Sequence, residues 1–76
     1  MVWNDDTIGK LLVDYGETMA RIYCLTTAYS YTMPNNKDYE KAKWYMAQAN
    51  EFHNCDYVFG VMDLKHDIKE KLKECE

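Results

Sequence analysis

Glycine, serine and histidine are scarce in this chain of 76 residues, and their scarcity removes several classes of site. The three glycines do not cluster, so a phosphate-binding loop of the P-loop or dinucleotide type is excluded. Ser30 is the only serine, which argues against a serine hydrolase. The two histidines and three cysteines lack the short paired spacing of a structural zinc site. We therefore predict no catalytic residue, no metal ligand and no cofactor.

Long apolar runs and excess positive charge are also missing. No run approaches the roughly 18 residues of a membrane span, and the N-terminus does not resemble a signal peptide. An odd number of irregularly spaced cysteines argues against a secreted disulfide framework. The net charge of −4 argues against direct binding to nucleic acid and suits a basic protein partner. The sequence predicts a cytoplasmic protein that binds neither membrane nor nucleic acid.

Hydrophobic residues make up 47% of the chain, which is enough to fold a small domain. We expect residues 1–76 to be one helical domain and a complete small gene product. The predicted fold class is all-α, a small three-helix bundle with helices over Asn4–Thr32, Asn36–His53 and Asn54–Glu74.

The C-terminal third carries the clearest pattern, because its apolar and acidic residues separate at helical spacing. The apolar side is Tyr57, Val61, Leu64, Ile68, Leu72 and Cys75. The acidic stripe is Asp56, Asp63, Asp67, Glu70 and Glu74. Both are typical of a helix with one side in the core and the other in solvent.

The first predicted helix begins with Asn4 as N-cap, which pairs Trp3 and Ile8 as a hydrophobic staple. Gly16 lies in its interior at a cost of about 1 kcal/mol relative to alanine. The apolar residues recurring at helical spacing are Ile8, Leu11, Leu12, Tyr15, Met19, Ile22, Tyr23 and Tyr29. Two roles stay open for the small residues beside them, Gly9, Gly16 and Ala20: close packing within the monomer, or the seam of a homodimer through helix one.

A turn at Met33–Asn36, marked by Pro34, separates the first helix from the second. The predicted core side of the second helix is Tyr39, Ala42, Tyr45, Met46, Ala49 and Phe52. The segment Asp38–Ala49 resembles the first helix of a tetratricopeptide unit through its Tyr–Ala–Tyr–Ala pattern. The resemblance covers one helix with no second repeat, so it implies helix–helix packing and no family. A bent continuation of the second helix into the third is an open alternative.

Two surfaces are the candidate partner-binding sites. On the second helix Trp44 projects with Glu40 and Glu51 away from the core stripe, and tryptophan often marks a contact surface. On the third helix the acidic stripe presents Asp63, Asp67, Glu70 and Glu74.

The leading hypothesis is a non-enzymatic protein–protein interaction module. Its sharpest form is a small phage or mobile-element accessory protein that inhibits a host nucleic-acid-handling complex, of the anti-CRISPR kind. The partner would be a basic nucleic-acid-binding protein. One alternative is a homodimeric helical structural or regulatory protein. The other is a small zinc or thiol protein that uses His53, Cys55 and His66.

Overall fold

The computed structural model describes residues 4–52 and 61–75, and the side chains of residues 4–52 and 65–74 within them. Over these ranges the chain forms helices joined by turns, without a strand, which confirms the all-α prediction. The helices are α1 (Asp6–Tyr15), α2 (Glu17–Ser30), α3 (Tyr39–Ala49) and α4 (Val61–Cys75). None of these four combines the length and apolarity needed to cross a membrane.

Gly16 divides the segment that was expected to form one helix. Its φ of 98° and ψ of −177° lie in a region that is almost exclusive to glycine. The Gly16 amide ends α1 by donating to the carbonyls of Leu11 and Leu12, at 3.1 Å each, and its own carbonyl starts α2 by accepting from the amide of Ala20 at 3.2 Å. The described residues therefore hold four helices rather than the predicted three, because one glycine closes one helix and opens the next.

The sequence predicted Asn4 as the N-cap of α1, but the N-cap in the structure is Asp5. Asp5 has extended backbone angles, and its carboxylate accepts a hydrogen bond from the amide of Thr7 at 2.9 Å. Asp6 follows in the first turn, where its negative charge suits the positive end of the helix dipole. Trp3, the other half of the predicted staple, lies outside the described residues.

The turn predicted around Pro34 is confirmed, but α3 begins later than expected. Asp38 is its N-cap, accepting from the amide of Lys41 at 3.2 Å, while the Asp38 amide donates to the Tyr31 carbonyl at 2.8 Å. The helix ends at Ala49, short of the predicted His53. The predicted start of the third helix at Asn54 lies outside the described residues, so the bent continuation is untested.

Helix α2 lies at the centre of the fold and contacts α1, α3 and α4. Its buried side is Ala20, Arg21, Cys24, Leu25 and Ala28. The predicted core stripe of α3 is largely confirmed, with Tyr39 half-buried and the rest buried. Among the described side chains, Ile68 is the buried one of α4 and Ile8 is the buried one of α1.

Candidate interaction surfaces and the Asp5 cluster

The acidic stripe of α4 lies on the side of the helix away from its core contact. Ile68 is fully buried, whereas Asp67, Glu70 and Glu74 are exposed. Asp63 belongs to α4, but its side chain is outside the described part. Glu70 forms an ion pair with Lys73 at 3.6 Å, one turn along the helix, which reduces the negative charge on that flank.

One end of this stripe borders a depression beside the turn before α3. The depression has a volume of about 400 Å³, and its described lining is Thr32, Pro34, Lys37, Lys71 and Glu74. The Lys71 ammonium also lies over the ring of Tyr29, 5.8 Å from its centroid. Two lysines and one glutamate make this depression mixed in charge, so the acidic character belongs to the outer side of α4.

Trp44 is half-buried and packs against the core. Its ring meets the ring of Tyr45 edge-on, with centroids 5.0 Å apart and planes at 87°. This contact gives Trp44 a structural role that the sequence pattern did not reveal. Glu40 and Glu51 are exposed as expected, and a partner contact through these three residues stays a prediction.

A cluster of hydrogen bonds is centred on Asp5, a residue that the sequence pattern did not mark as a site. One carboxylate oxygen of Asp5 accepts from Thr7, and the other accepts from the hydroxyls of both Tyr23 and Tyr45, at 2.5 Å each. These phenols belong to α2 and α3, so one carboxylate at the start of α1 joins three helices. Hydrogen bonds to an ionised acceptor are about twice as strong as neutral ones.

Two opposing effects set the pKa of Asp5. Burial raises the pKa, but the hydrogen bonds from Tyr23, Tyr45 and Thr7 stabilise the carboxylate and bring the net pKa below its usual value. The pKa of Tyr23 is raised, first by burial and then by its hydrogen bond to Asp5, which favours the protonated phenol. Asp5 is therefore an ionised acceptor at neutral pH and Tyr23 a neutral donor.

Aromatic rings extend this cluster around Tyr45. Tyr31 stacks on Tyr45 with centroids 6.0 Å apart, and Tyr23 meets it edge-on at 6.3 Å. The Lys41 ammonium lies 5.5 Å from the centroid of the Tyr31 ring. Such pairs add to the stability given by burial alone. Tyr23, Tyr31 and Tyr45 therefore stabilise the core through their ring contacts.

Cys24 is buried in α2 and is the one cysteine whose side chain the structure describes. Burial, with a smaller contribution from the negative charge of Asp5, raises the pKa of the thiol to about 11. The thiol is therefore protonated at neutral pH and cannot act as a nucleophile. Cys24 therefore packs as a small hydrophobic residue of the core.

Arg21 is a second polar residue whose buried position the sequence pattern did not reveal. It is 1% exposed, and its Nη1 donates to the carbonyl oxygen of Phe52, just beyond the end of α3. A cation near a helix C-terminus interacts favourably with the helix dipole. Charged residues are expected at the surface unless they are paired, so no sequence signal marked Arg21 as buried.

Among the side chains that the structure describes, the exposed large apolar residues fall within one short stretch on either side of Gly16. They are Leu12 (40% exposed), Val13 (84%), Tyr15 (70%) and Met19 (43%). Leu12, Tyr15 and Met19 belong to the apolar residues that the sequence predicted at helical spacing along the first helix. Of the small residues beside that stripe, Ala20 is buried within the monomer, whereas Gly9 is exposed.

The described residues contain no group of three His, Cys, Asp or Glu side chains arranged to hold a metal ion. His66 is exposed on α4. His53 and Cys55 lie outside the described part of the chain, so the zinc or thiol hypothesis is untested.

Comparison with known protein families, with curated proteins and with solved structures finds no match to this chain.

Proposed function

We propose that the protein is a non-enzymatic interaction module that binds another protein through the acidic face of α4. The supporting observation is that Asp67, Glu70 and Glu74 are exposed opposite the buried Ile68, on a helix whose position is set by its contact with α2 and α3. A row of like charges on a helix attracts a partner of opposite charge and speeds its association.

The partner that fits this surface is a basic protein that handles nucleic acid. Spaced carboxylates on a helix present negative charge to a groove that otherwise receives phosphates. In its sharpest form, the proposal is a cytoplasmic phage or mobile-element protein that inhibits such a host complex, of the anti-CRISPR kind. Glu40, Trp44 and Glu51 are the proposed second contact surface.

The experiment compares two variants with the same net charge. Asp67→Asn/Glu70→Gln removes two negative charges from α4, and Asp14→Lys changes the net charge equally on the exposed side of α1. Wild type and both variants are used to capture proteins from a cell lysate, and the dominant captured protein is purified. Its direct binding to each form is then measured at two salt concentrations.

We expect Asp67→Asn/Glu70→Gln to weaken binding by about tenfold, mostly through slower association, and Asp14→Lys to bind like wild type. The partner should also lose its nucleic acid when the protein binds. Equal weakening in both variants would indicate bulk charge and contradict the proposal, as would a partner that keeps its nucleic acid throughout.

A homodimeric structural or regulatory protein is the second candidate, favoured by the exposed Leu12, Val13, Tyr15 and Met19. Apolar side chains left in water around one helix junction favour contact with another apolar surface. This candidate predicts a melting temperature that rises with protein concentration, whereas a monomer has a constant one.

A further inference from the structure

The apolar spacing of the sequence continues across Gly16 although the helix does not. Ile8, Leu12, Tyr15, Met19 and Ile22 follow one another in steps of four, three, four and three residues. This is the average spacing of 3.5 that aligns apolar side chains along one side of a helix for pairing with another helix. The break at Gly16 interrupts the stripe, and its three middle members, Leu12, Tyr15 and Met19, are the ones left exposed.

We propose that α1 is exchanged between two copies of this chain, with Gly16 as the hinge. In the exchanged dimer residues 6–30 form one continuous helix, about 37 Å long at 1.5 Å per residue. The α1 segment of each copy then packs on the α2 segment of the other. Glycine adopts helical backbone angles as well as its present positive φ, so the hinge opens without a steric barrier.

The exchanged dimer re-forms the contacts that hold α1 in the monomer. The hydrogen bonds that Tyr23 and Tyr45 donate to Asp5, and the packing of Ile8 into the core, are made between the two copies instead of within one chain. The contact free energy that is lost when α1 detaches from its own chain is therefore regained when α1 packs on the second copy. The gain lies at the centre, where the two stripes meet around Tyr15 and cover Leu12, Tyr15 and Met19, which the monomer leaves exposed.

Charge and core packing are both compatible with this pairing. At 100° per residue Lys10, Asp14 and Glu17 lie well away from the stripe, so like charges do not meet across the seam. The core contacts of α2, among them Cys24 and Leu25, are on the far side from the stripe. Helix α2 can therefore keep α3 and α4 while it accepts the second copy's α1.

The test uses the two glycines of the α1–α2 region as a matched pair. Alanine at position 16 is strained at the present positive φ, whereas Gly9 lies inside α1 and a Cβ there meets no atom within 4 Å. Gly16→Ala therefore favours the continuous helix, and Gly9→Ala adds the same methyl group without affecting the hinge. A third variant inserts two glycines after Gly16, which favours the closed monomer. Mass in solution is measured by light scattering across a concentration series.

We expect Gly16→Ala to lower the dimer dissociation constant by about tenfold or more relative to wild type. Gly9→Ala should change it little, and the glycine insertion should abolish the dimer. Wild type refolded at high concentration should give a dimer that persists on dilution, because re-closure requires α1 to detach. Asp67→Asn/Glu70→Gln should dimerise like wild type, which separates this result from the function proposed for α4.

A folded, monomeric Gly16→Ala protein would overturn the exchange. So would a wild-type dimer that the glycine insertion leaves intact, since that dimer would form without opening the hinge. If Gly16→Ala does not fold, the wild-type refolding experiment decides: a protein that stays monomeric at every refolding concentration rules the exchange out.

Discussion

Two regions of the molecule differ in how completely their apolar side chains are covered. Within α2, Cys24, Leu25 and Ala28 are all fully buried. Around Gly16, Leu12 and Tyr15 of α1 and Met19 of α2 stay substantially exposed although they also recur at helical spacing. Apolar periodicity therefore identifies a surface suited to burial, and the backbone geometry between elements decides whether the monomer covers it.

Leu25→Ala and Leu12→Ala make the same chemical change on the two sides of this comparison. We expect Leu25→Ala to lower the free energy of unfolding by about 2–5 kcal/mol, because it leaves a cavity in a closed core. Leu12→Ala should lower it by less than about 1 kcal/mol, because Leu12 is partly in water already. Urea denaturation with circular dichroism measures both. Similar losses from the two variants would show that the junction is as well packed as the core.

The tyrosines permit a finer version of the same comparison. Tyr45→Phe removes a hydrogen bond to the Asp5 carboxylate, and we expect it to lower the free energy of unfolding by about 1.5–3 kcal/mol. Tyr15→Phe removes the same hydroxyl from a ring that is mostly in solvent and should change stability by less than about 0.5 kcal/mol. Both changes in the free energy of unfolding are measured from the midpoints of urea denaturation at one pH. A neutral result for Tyr45→Phe would mean that Tyr23 alone satisfies Asp5.

Acid should weaken the Asp5 cluster before it affects the apolar core. The pKa of Asp5 is lower in the folded than in the unfolded state, so its stabilising contribution is fully present above the unfolded pKa of 3.8. That contribution is lost as the pH falls through the lower folded value. Asp5→Asn should therefore flatten the loss of stability below about pH 4, relative to wild type. Asp14→Asn, at an exposed position, is the control and should leave the wild-type profile unchanged.

The smallest effect is expected on the outer surface of α4. Lys73→Ala breaks the ion pair with Glu70, in which both side chains are more than half exposed. Exposed pairs of this kind contribute little, so the free energy of unfolding should change by less than about 0.5 kcal/mol. Thermal melting at low and high salt measures it. A larger, salt-dependent change in the free energy of unfolding would show that the acidic face stabilises the fold in addition to any role in binding a partner.

Local pattern was sufficient to predict the all-helical class and the core stripe of α3, but not the number of helices or the buried side of α2. The stripe from Ala42 to Phe52 is buried as expected because spacing along one helix is a local property. The break at Gly16 was not predicted, since a single glycine is tolerated within many helices and its φ depends on tertiary packing.

The sites were harder to predict than the fold. The Asp5–Tyr45 hydrogen bond joins residues 40 positions apart, and no local pattern encodes such a pair. Arg21 is buried against the usual preference of charged residues, so its place became evident only from the structure. The exposed acids of α4 were readily predicted because exposure is the ordinary state of charge on an amphipathic helix.

The Asp5 carboxylate also has a consequence for amide hydrogen exchange. Because it caps α1 and accepts from α2 and α3 at one point, α1 cannot detach without giving up all of these bonds together. The amides of α1 should therefore exchange through a shared opening rather than by gradual fraying from the N-terminus. A single carboxylate thus sets the size of the smallest cooperative unit at this end of the molecule.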